Sequence, residues 1–335
     1  MSVLIAGGAG FVGLNVAEAL LARREAVVLF DRAPPPPEAL AALGALPGRL
    51  DVVEGDVLDP EAVRGALALH GRRPEAVVQA AAVTPDAGRE ARQPAMVLGV
   101  NLMGWINLLS AAHEAGDVRR VINLSSGSAY GDAAFDAPGP LDEAATAPDP
   151  ATLYAVSKFA SERIGRRLGS LWHLDVRSVR LSSVFGPWER DTGLRDTLSP
   201  PMQATVAALR GEPAVLARPG ERDWVYARDV AGAVLALLDA PYPAHDLYNV
   251  GPGVSWSVAD WCAKLAGWRP GFTYRLAGDG DGPPNVDLYG EYDRRPLAIG
   301  RLTGDLHYRP RFDLDAAFED FRAWLERYPG YWRSD

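Results

Sequence analysis

Ser2-Val-Leu-Ile-Ala6 runs directly into Gly7-Gly8-Ala9-Gly10-Phe11-Val12-Gly13. The apolar run predicts a first strand over Val3–Ala6, and the residues that follow predict a helix over Phe11–Arg24. Between them the glycines allow a tight turn and a close backbone approach to a pyrophosphate at the helix N-terminus, where free N–H groups favour an anion. The run fits two registers, Gly8/Gly10/Gly13 and Gly7/Gly10/Gly13, and both stay open at this level. Asp31 closes the next apolar run, 18 residues after Gly13. A carboxylate there accepts hydrogen bonds from ribose hydroxyls and repels a 2′-phosphate, so NAD is expected over NADP, with the neighbouring cation Arg32 tempering the preference.

The alternation continues. Strands are expected at Val27–Phe30, Asp51–Val53, Ala76–Ala80, Val121–Ser125 and Val176–Leu181, with helices at Pro60–Leu69, Asn101–Ala115 and Tyr154–Leu168. The expected fold is therefore α/β, a Rossmann-type doubly wound parallel sheet, carrying a smaller C-terminal substrate-binding lobe. The expected division is 1–181 for the nucleotide-binding domain, with 225–252 returning to it, and 182–224 plus 253–335 for the lobe. Pro34 to Pro37 mark a loop, and the Pro-, Ala- and acid-rich stretch Asp136–Pro150 marks a second break. Eight of the nine tryptophans lie after position 170, and past Leu181 come a buried helix at Val230–Leu238 and a short strand and turn at Tyr248-Asn249-Val250-Gly251. A terminal amphipathic helix over Asp315–Tyr328 has Ala316, Phe318, Phe321, Trp324 and Leu325 as its apolar stripe.

Composition excludes several classes. A net charge of -9 argues against a nucleic-acid binder, whose footprint is basic. The lone Cys262 rules out an intrachain disulfide, and beside Trp261 and Ala263 it is expected to pack and not to react. His70, His113, His173, His245 and His307 are scattered, so no metal site is expected. The first residues show neither a basic n-region nor a long apolar core, and no apolar run reaches the roughly 18 residues of a membrane span. A cytoplasmic location without membrane contact is the expectation.

Three further elements carry chemistry. Gly55-Asp56-Val57 follows the third strand, where Asp56 could meet the adenine amino group or cap a helix. Ala80-Ala81-Ala82 follows the fourth strand, and side chains this small suit close cofactor approach or tight helix packing. Leu124-Ser125-Ser126-Gly127-Ser128-Ala129-Tyr130-Gly131 brings hydroxyls to a strand's carboxyl end, where open α/β sheets bind ligands. Then comes Tyr154-Ala-Val-Ser-Lys158, a phenol and an ammonium at i and i+4 of one helix. A nearby positive charge favours the phenolate, which makes tyrosine a usable proton acceptor.

Taken with Arg180–Pro187, Arg222–Val230 and Tyr248–Gly251, these motifs in this order resemble the extended short-chain dehydrogenase/reductase family, in its NAD-dependent epimerase/dehydratase branch. The resemblance implies NAD as cofactor, with Ser126, Tyr154 and Lys158 as catalytic residues. It implies cofactor contacts at Gly7, Gly10, Phe11, Val12, Gly13, Asp31, Arg32, Asp56, Val57, Ala80, Ala81, Ala82, Asn101, Tyr154, Lys158 and Leu181. Asn101, opening its helix, would support the active-site architecture or serve as an N-cap. Substrate contacts are expected at Thr84, Ser126, Ser128, Ser183 and Arg222. The implied activity is hydride transfer at a carbinol of a sugar or nucleotide sugar, with epimerisation leading, in a homodimer paired through the Tyr154/Lys158 helix and its neighbour.

The chain departs from that family at three points. Ser183 stands where nucleotide-sugar enzymes usually carry an asparagine that contacts the pyrophosphate. Only Pro219-Gly220-Glu221 precedes Arg222, a shorter loop than usual, and an Arg222–Asp229 structural pair competes with a ligand role. None of Arg275, Arg294, Arg295 and Arg301 lines up cleanly with the usual diphosphate-binding arginine. These departures add weight to a dehydrogenase acting on a sugar acid or other free hydroxy compound. Gly127-Ser128 replaces the Asp-Glu of the family's dehydratases, which disfavours dehydration. A non-catalytic NAD-binding protein is the remaining alternative.

Overall fold

The computed structural model describes residues 1–69, 73–278 and 282–332; His70 lies outside them. Seven strands build the central sheet: β1 (Ser2–Ala6), β2 (Ala26–Asp31), β3 (Arg49–Glu54), β4 (Ala76–Gln79), β5 (Arg120–Ser126), β6 (Val176–Leu181) and β7 (Leu247–Val250). Their spatial order is β7-β6-β5-β4-β1-β2-β3, and every neighbouring pair is parallel. Parallel strands need crossovers, and helices on both faces bury the Val-, Leu- and Ile-rich strands. The chain order reverses between β1 and β4, and such a switch point opens a crevice at the strands' carboxyl ends.

On one face, helix Gly104–Ala115 docks against helix Leu153–Trp172 through fully buried Trp105, whose indole N–H donates to the Ser161 carbonyl at 3.0 Å. Gly165 makes room for that ring, since a Cβ there would stand 3.0 Å from it. On the other face, helix Phe11–Ala22 meets helix Ala227–Asp239, and Arg23 forms a forked pair with Asp239 at 2.7 and 3.0 Å.

The remaining segments form a lobe of short strand pairs and helices. Ser183–Phe185 pairs with Trp224–Tyr226, Glu221–Arg222 with Trp256–Ser257, and Ala214–Leu216 with Tyr274–Leu276. Helices Pro200–Arg210, Val258–Trp268 and Leu314–Arg327 pack around them. An aromatic cluster fills the lobe, with Phe185 edge-on to Trp256 and Trp261, and Trp188 edge-on to Trp324. Trp188 also donates its N–H to Glu18 at 2.7 Å, fastening the lobe to the first helix of the sheet domain.

Several elements differ from the sequence reading. Pro37 opens a helix, Pro37–Gly44, instead of extending a loop, because proline suits a first helical turn whose N–H has no partner anyway. The first helix stops at Ala22, where Arg24 turns left-handed at φ 64°. In the terminal helix Ala317, not Ala316, joins the buried stripe. Cys262 is buried, and burial pushes its thiol up to about 12. Asn101 does not open a helix. It lies in a π-helical turn, Gly99–Met103, inside one rod running from Pro94 to Ala115. That rod is apolar and long enough to cross a membrane by composition, yet Trp105, Leu108 and Leu109 are fully buried in the core. The Trp105→Ala variant is expected to lose about 3–5 kcal/mol of stability, read from urea unfolding, because a large cavity opens between two helices.

Candidate active site

A cleft of about 830 Å³ runs along the carboxyl ends of β1, β2, β4, β5 and β6. It is lined by every site residue read from the sequence except Asn101. The glycine turn forms its floor. Gly7 has φ 76°, and a Cβ on it would meet the Ala81 nitrogen at 2.4 Å. A Cβ on Gly13 would meet the Gly7 carbonyl oxygen at the same distance. The positive φ at Gly7 selects the Gly7/Gly10/Gly13 register. Gly8 is confined for another reason, its backbone pressed against Leu29 of β2. No side chain caps helix Phe11–Ala22, so its first-turn N–H groups stay available to an anion.

Asp31 sits where β2 ends, with Oδ2 accepting from the Ala9 N–H at 3.0 Å and Oδ1 from the Arg32 N–H at 2.8 Å. Burial raises its pKa above the ordinary aspartate value, although these backbone donors oppose the shift. The carboxylate is thereby locked to the glycine turn while still facing the cleft. Asp56 accepts from the Leu58 N–H at 2.9 Å and is not the cap of the next helix; Asp59 takes that place. The Ala80–Ala81 backbone packs directly on Gly7, where a Cβ would collide with it.

Thr152 caps helix Leu153–Trp172 and so fixes Tyr154 in its first turn. The Tyr154 N–H donates to Glu90 at 3.1 Å. Lys158 is buried, donates to the Leu124 carbonyl at 2.8 Å and lies 5.7 Å from the centre of the Tyr154 ring. Ser126 caps the short helical turn Gly127–Tyr130, accepting from the Ser128 N–H and donating to the Ser128 hydroxyl, both at 3.1 Å. Asn101 acts behind this surface. Its amide bonds both backbone groups of Val83, at 2.8 and 3.1 Å, and donates to Ser157 at 3.0 Å. It thus positions the helical turn between Tyr154 and Lys158.

The lobe supplies the opposite wall. Thr84 exchanges backbone hydrogen bonds with Leu194 and Asp196, so the segment around Arg195 is stitched to the chain after β4. Arg195 pairs with buried Glu189 at 3.1 Å and donates to the Tyr289 hydroxyl at 3.0 Å. Burial works against its charge, but Tyr289 and Glu189 outweigh it and hold Arg195 above the usual arginine value. Arg222 donates to Ser183 at 3.3 Å and lies over the Trp224 and Tyr289 rings. It does not pair with Asp229, which is taken up by Tyr308 and the N–H groups of Arg311 and Phe312. Burial first, and the Arg294 charge second, push Arg222 down to about 10. Arg195, Tyr289 and Arg294 were not singled out as substrate contacts by the sequence, because they come from irregular segments whose placement no local pattern encodes.

Residues 3–251 match the NAD dependent epimerase/dehydratase family. UDP-glucuronate 4-epimerase 5 of Arabidopsis thaliana is 30% identical over 355 aligned residues, covering 97% of this chain and 75% of the relative. The dTDP-L-rhamnose 4-epimerase of Burkholderia thailandensis is 26% identical over 361 aligned residues, covering 96% and 94%. Among solved structures, the Thermus thermophilus UDP-glucose 4-epimerase complex with NAD superposes with a TM-score of 0.75 at 28% identity, covering 96% of this chain and 99% of that one. The Thermotoga maritima UDP-glucose 4-epimerase, solved with UDP-glucose, shares the fold at a TM-score of 0.80 and 24% identity, covering 98% and 100%. The matched span contains the glycine turn, Asp31, Ser126, Tyr154 and Lys158, and the chain belongs to the NAD dependent epimerase/dehydratase family.

Proposed function

We propose that this protein is an NAD-dependent epimerase acting at a carbinol carbon of a nucleotide sugar. The observation that carries the reading is the meeting of Ser126, Tyr154, Lys158 and the glycine turn on one cleft. The residues fit the cofactor. The turn leaves backbone exposed where a Cβ would collide, and Asp31 presents a carboxylate at the end of β2. Gly7, Gly10 and Gly13, with Phe11 and Val12 at the helix start, would cradle the pyrophosphate, and Asp31 would hold the adenosine ribose. Asp56 and Val57 would border the adenine, while Ala80 to Ala82, Leu181 and Lys158 would flank the nicotinamide half. NAD, when bound, supplies the acceptor and donor of hydride. Tyr154 takes the carbinol proton on its phenolic oxygen and returns it, while Ser126 holds the same substrate oxygen. Lys158, held by the Leu124 carbonyl, brings a positive charge beside that phenol. Thr84, Ser128, Ser183 and Arg222 would contact the substrate.

A second reading, a net dehydrogenase of a sugar acid, is favoured by Ser183 in place of the family's asparagine. Absorbance of NADH separates the two: an epimerase recycles its cofactor, whereas a dehydrogenase accumulates NADH stoichiometrically. For either, Tyr154→Phe is expected to lower kcat about a thousandfold with NAD affinity retained in calorimetry. A fully active variant refutes the assignment.

Because burial raises the Asp31 pKa, NAD affinity is expected to begin falling with acidity at a higher pH than an exposed aspartate would set. The preference for NAD over NADP should shrink in the same window, as the carboxylate that accepts ribose and repels phosphate is protonated. In Asp31→Asn both pH dependences should flatten, as read by cofactor titration.

The cytoplasmic location is inferred from the single buried cysteine. A homodimer is proposed through helix Leu153–Trp172 and the 94–115 rod, where Val156 and Met103 are exposed apolar side chains. Light scattering is expected to give twice the chain mass, and Met103→Glu with Val156→Glu a monomer. A wild-type monomer at micromolar concentration contradicts the proposal.

A further inference from the structure

The substrate wall carries more buried positive charge than it can neutralise internally. Arg222 is 7% exposed, makes one long hydrogen bond and leaves its Nε without a partner. Among the described residues no carboxylate lies within ion-pair distance of it. Arg294 has a side chain 8% exposed and is 3.6 Å from Asp223, its only ion-pair acid among the described residues. Asp223 accepts from the Leu297 N–H through Oδ2 at 2.9 Å, while its Oδ1, the atom nearer Arg294, has no hydrogen-bond partner. Of these two buried guanidiniums, only Arg294 has a carboxylate at ion-pair distance among the described residues. A buried charge is tolerated where a partner is supplied, and here the open side is the cleft that both arginines line.

Arg294 is held in place. The Arg295 N–H donates to the Ala134 carbonyl at 2.9 Å, and Leu141 is bonded on both sides to the 296–298 segment. Its Nη2 donates to Ser182 at 2.8 Å. Its Nη1 fills the space where a side chain on residue 127 would sit, 2.6 Å from a Cβ built on Gly127. Gly127 lies between Ser126 and Ser128, so this guanidinium packs on the turn that carries those hydroxyls, and all three residues line the cleft with it. Arg222 feels that charge but makes its own contacts, with Ser183 and Tyr289.

We infer that Arg294 is a specificity-determining residue that receives a carboxylate carried by the sugar being oxidised, so that the preferred substrate is a uronic acid or a related acidic sugar. The inference rests on the reading of Ser126 and Tyr154 as the reacting end. A guanidinium offers a planar fork that matches a carboxylate. A neutral hydroxymethyl group at the same place offers no charge to a guanidinium whose Nε is buried without a partner and whose one ion pair is long. A diphosphate, lying away from the reacting carbon, falls to Arg222.

The test compares UDP-glucuronic acid with UDP-glucose, UDP alone, and free glucuronate with glucose, all with NAD present. The wild type is expected to favour UDP-glucuronic acid in kcat/KM by tenfold or more. In Arg294→Gln that ratio should fall about tenfold to a hundredfold, the loss expected for a charge-assisted hydrogen bond. Arg294→Lys, which keeps the charge beside Asp223, should retain part of the preference, and circular dichroism confirms that each variant is folded. Equal use of the two sugar nucleotides by the wild type overturns the inference. So does an unchanged ratio in the folded variants, or an equal loss of affinity for UDP alone. Turnover of neither nucleotide with NAD binding intact refutes the epimerase reading, and thermal shift then decides this one separately. Stabilisation by glucuronate but not glucose, lost in Arg294→Gln, supports it; no such stabilisation overturns it.

Discussion

The active surface hangs on one buried ion pair. Arg180 on β6 forks onto Glu162 of helix Leu153–Trp172 at 2.9 and 2.7 Å, with both side chains nearly excluded from solvent. Charges this deep are tolerated only when bonded on several sides. Here Ser125 donates to the same carboxylate at 2.5 Å, and the Tyr130 ring lies 4.2 Å from the guanidinium carbon. Tyr130 continues the chain to Asn249 on β7 at 3.1 Å, and Asn249 bonds the carbonyls of Leu141 and Ala298. The network joins β5, β6, β7 and the helix bearing Tyr154 and Lys158. The hydroxyls after β5 and the phenol and ammonium on the helix are therefore kept at a fixed separation.

The two ends of the cleft are built differently. At the cofactor end the recognition surface is mainly backbone: an uncapped helix start, a left-handed Gly7 and a carboxylate tied to the Ala9 N–H. Such a surface is set once the strand, turn and helix form. At the substrate end it is side chains from separate irregular segments, held by cross-bonds such as Thr84 to Leu194 and Leu141 to Pro296. Under the proposed function, that division would place hydride chemistry on a rigid scaffold and substrate choice on variable connections.

Electrostatics follows the same division. Asp31 carries its charge in a partly desolvated place, and backbone donors offset that cost only in part. Arg195 is compensated by Glu189 and Tyr289. Arg222 and Arg294 are the exception, mutually repelling, with Asp223 at ion-pair distance of Arg294 alone among the described residues. An anion between or beside them would relieve that repulsion, which is how a pocket expresses preference for a charged ligand before it arrives.

Much of the sheet domain and cofactor surface was legible in the chain, because their signals are local. The period of the apolar residues marked the sheet strands, the glycine spacing marked the turn, and the i, i+4 spacing brought Tyr154 and Lys158 to one helix face. Local signals misled where a residue type serves two purposes. Pro37 reads as a breaker and acts as a first-turn residue, and Asn101, read as a support of the site or as a cap, is a clamp between Val83 and Ser157 and caps no helix. The register of the glycines needed the φ of Gly7, which only its contact with Ala81 fixes. Arg294 was visible as a basic residue without a role, because its position depends on bonds to residues more than a hundred positions away, among them Ser182. The sequence by itself determined the α/β alternation, the nucleotide-binding turn and the phenol–ammonium pair, since each is a short-range pattern of backbone propensity. Only the tertiary structure decided the composition of the substrate wall, since long-range packing alone brings Gly127, Ser182, Asp223 and Arg294 together.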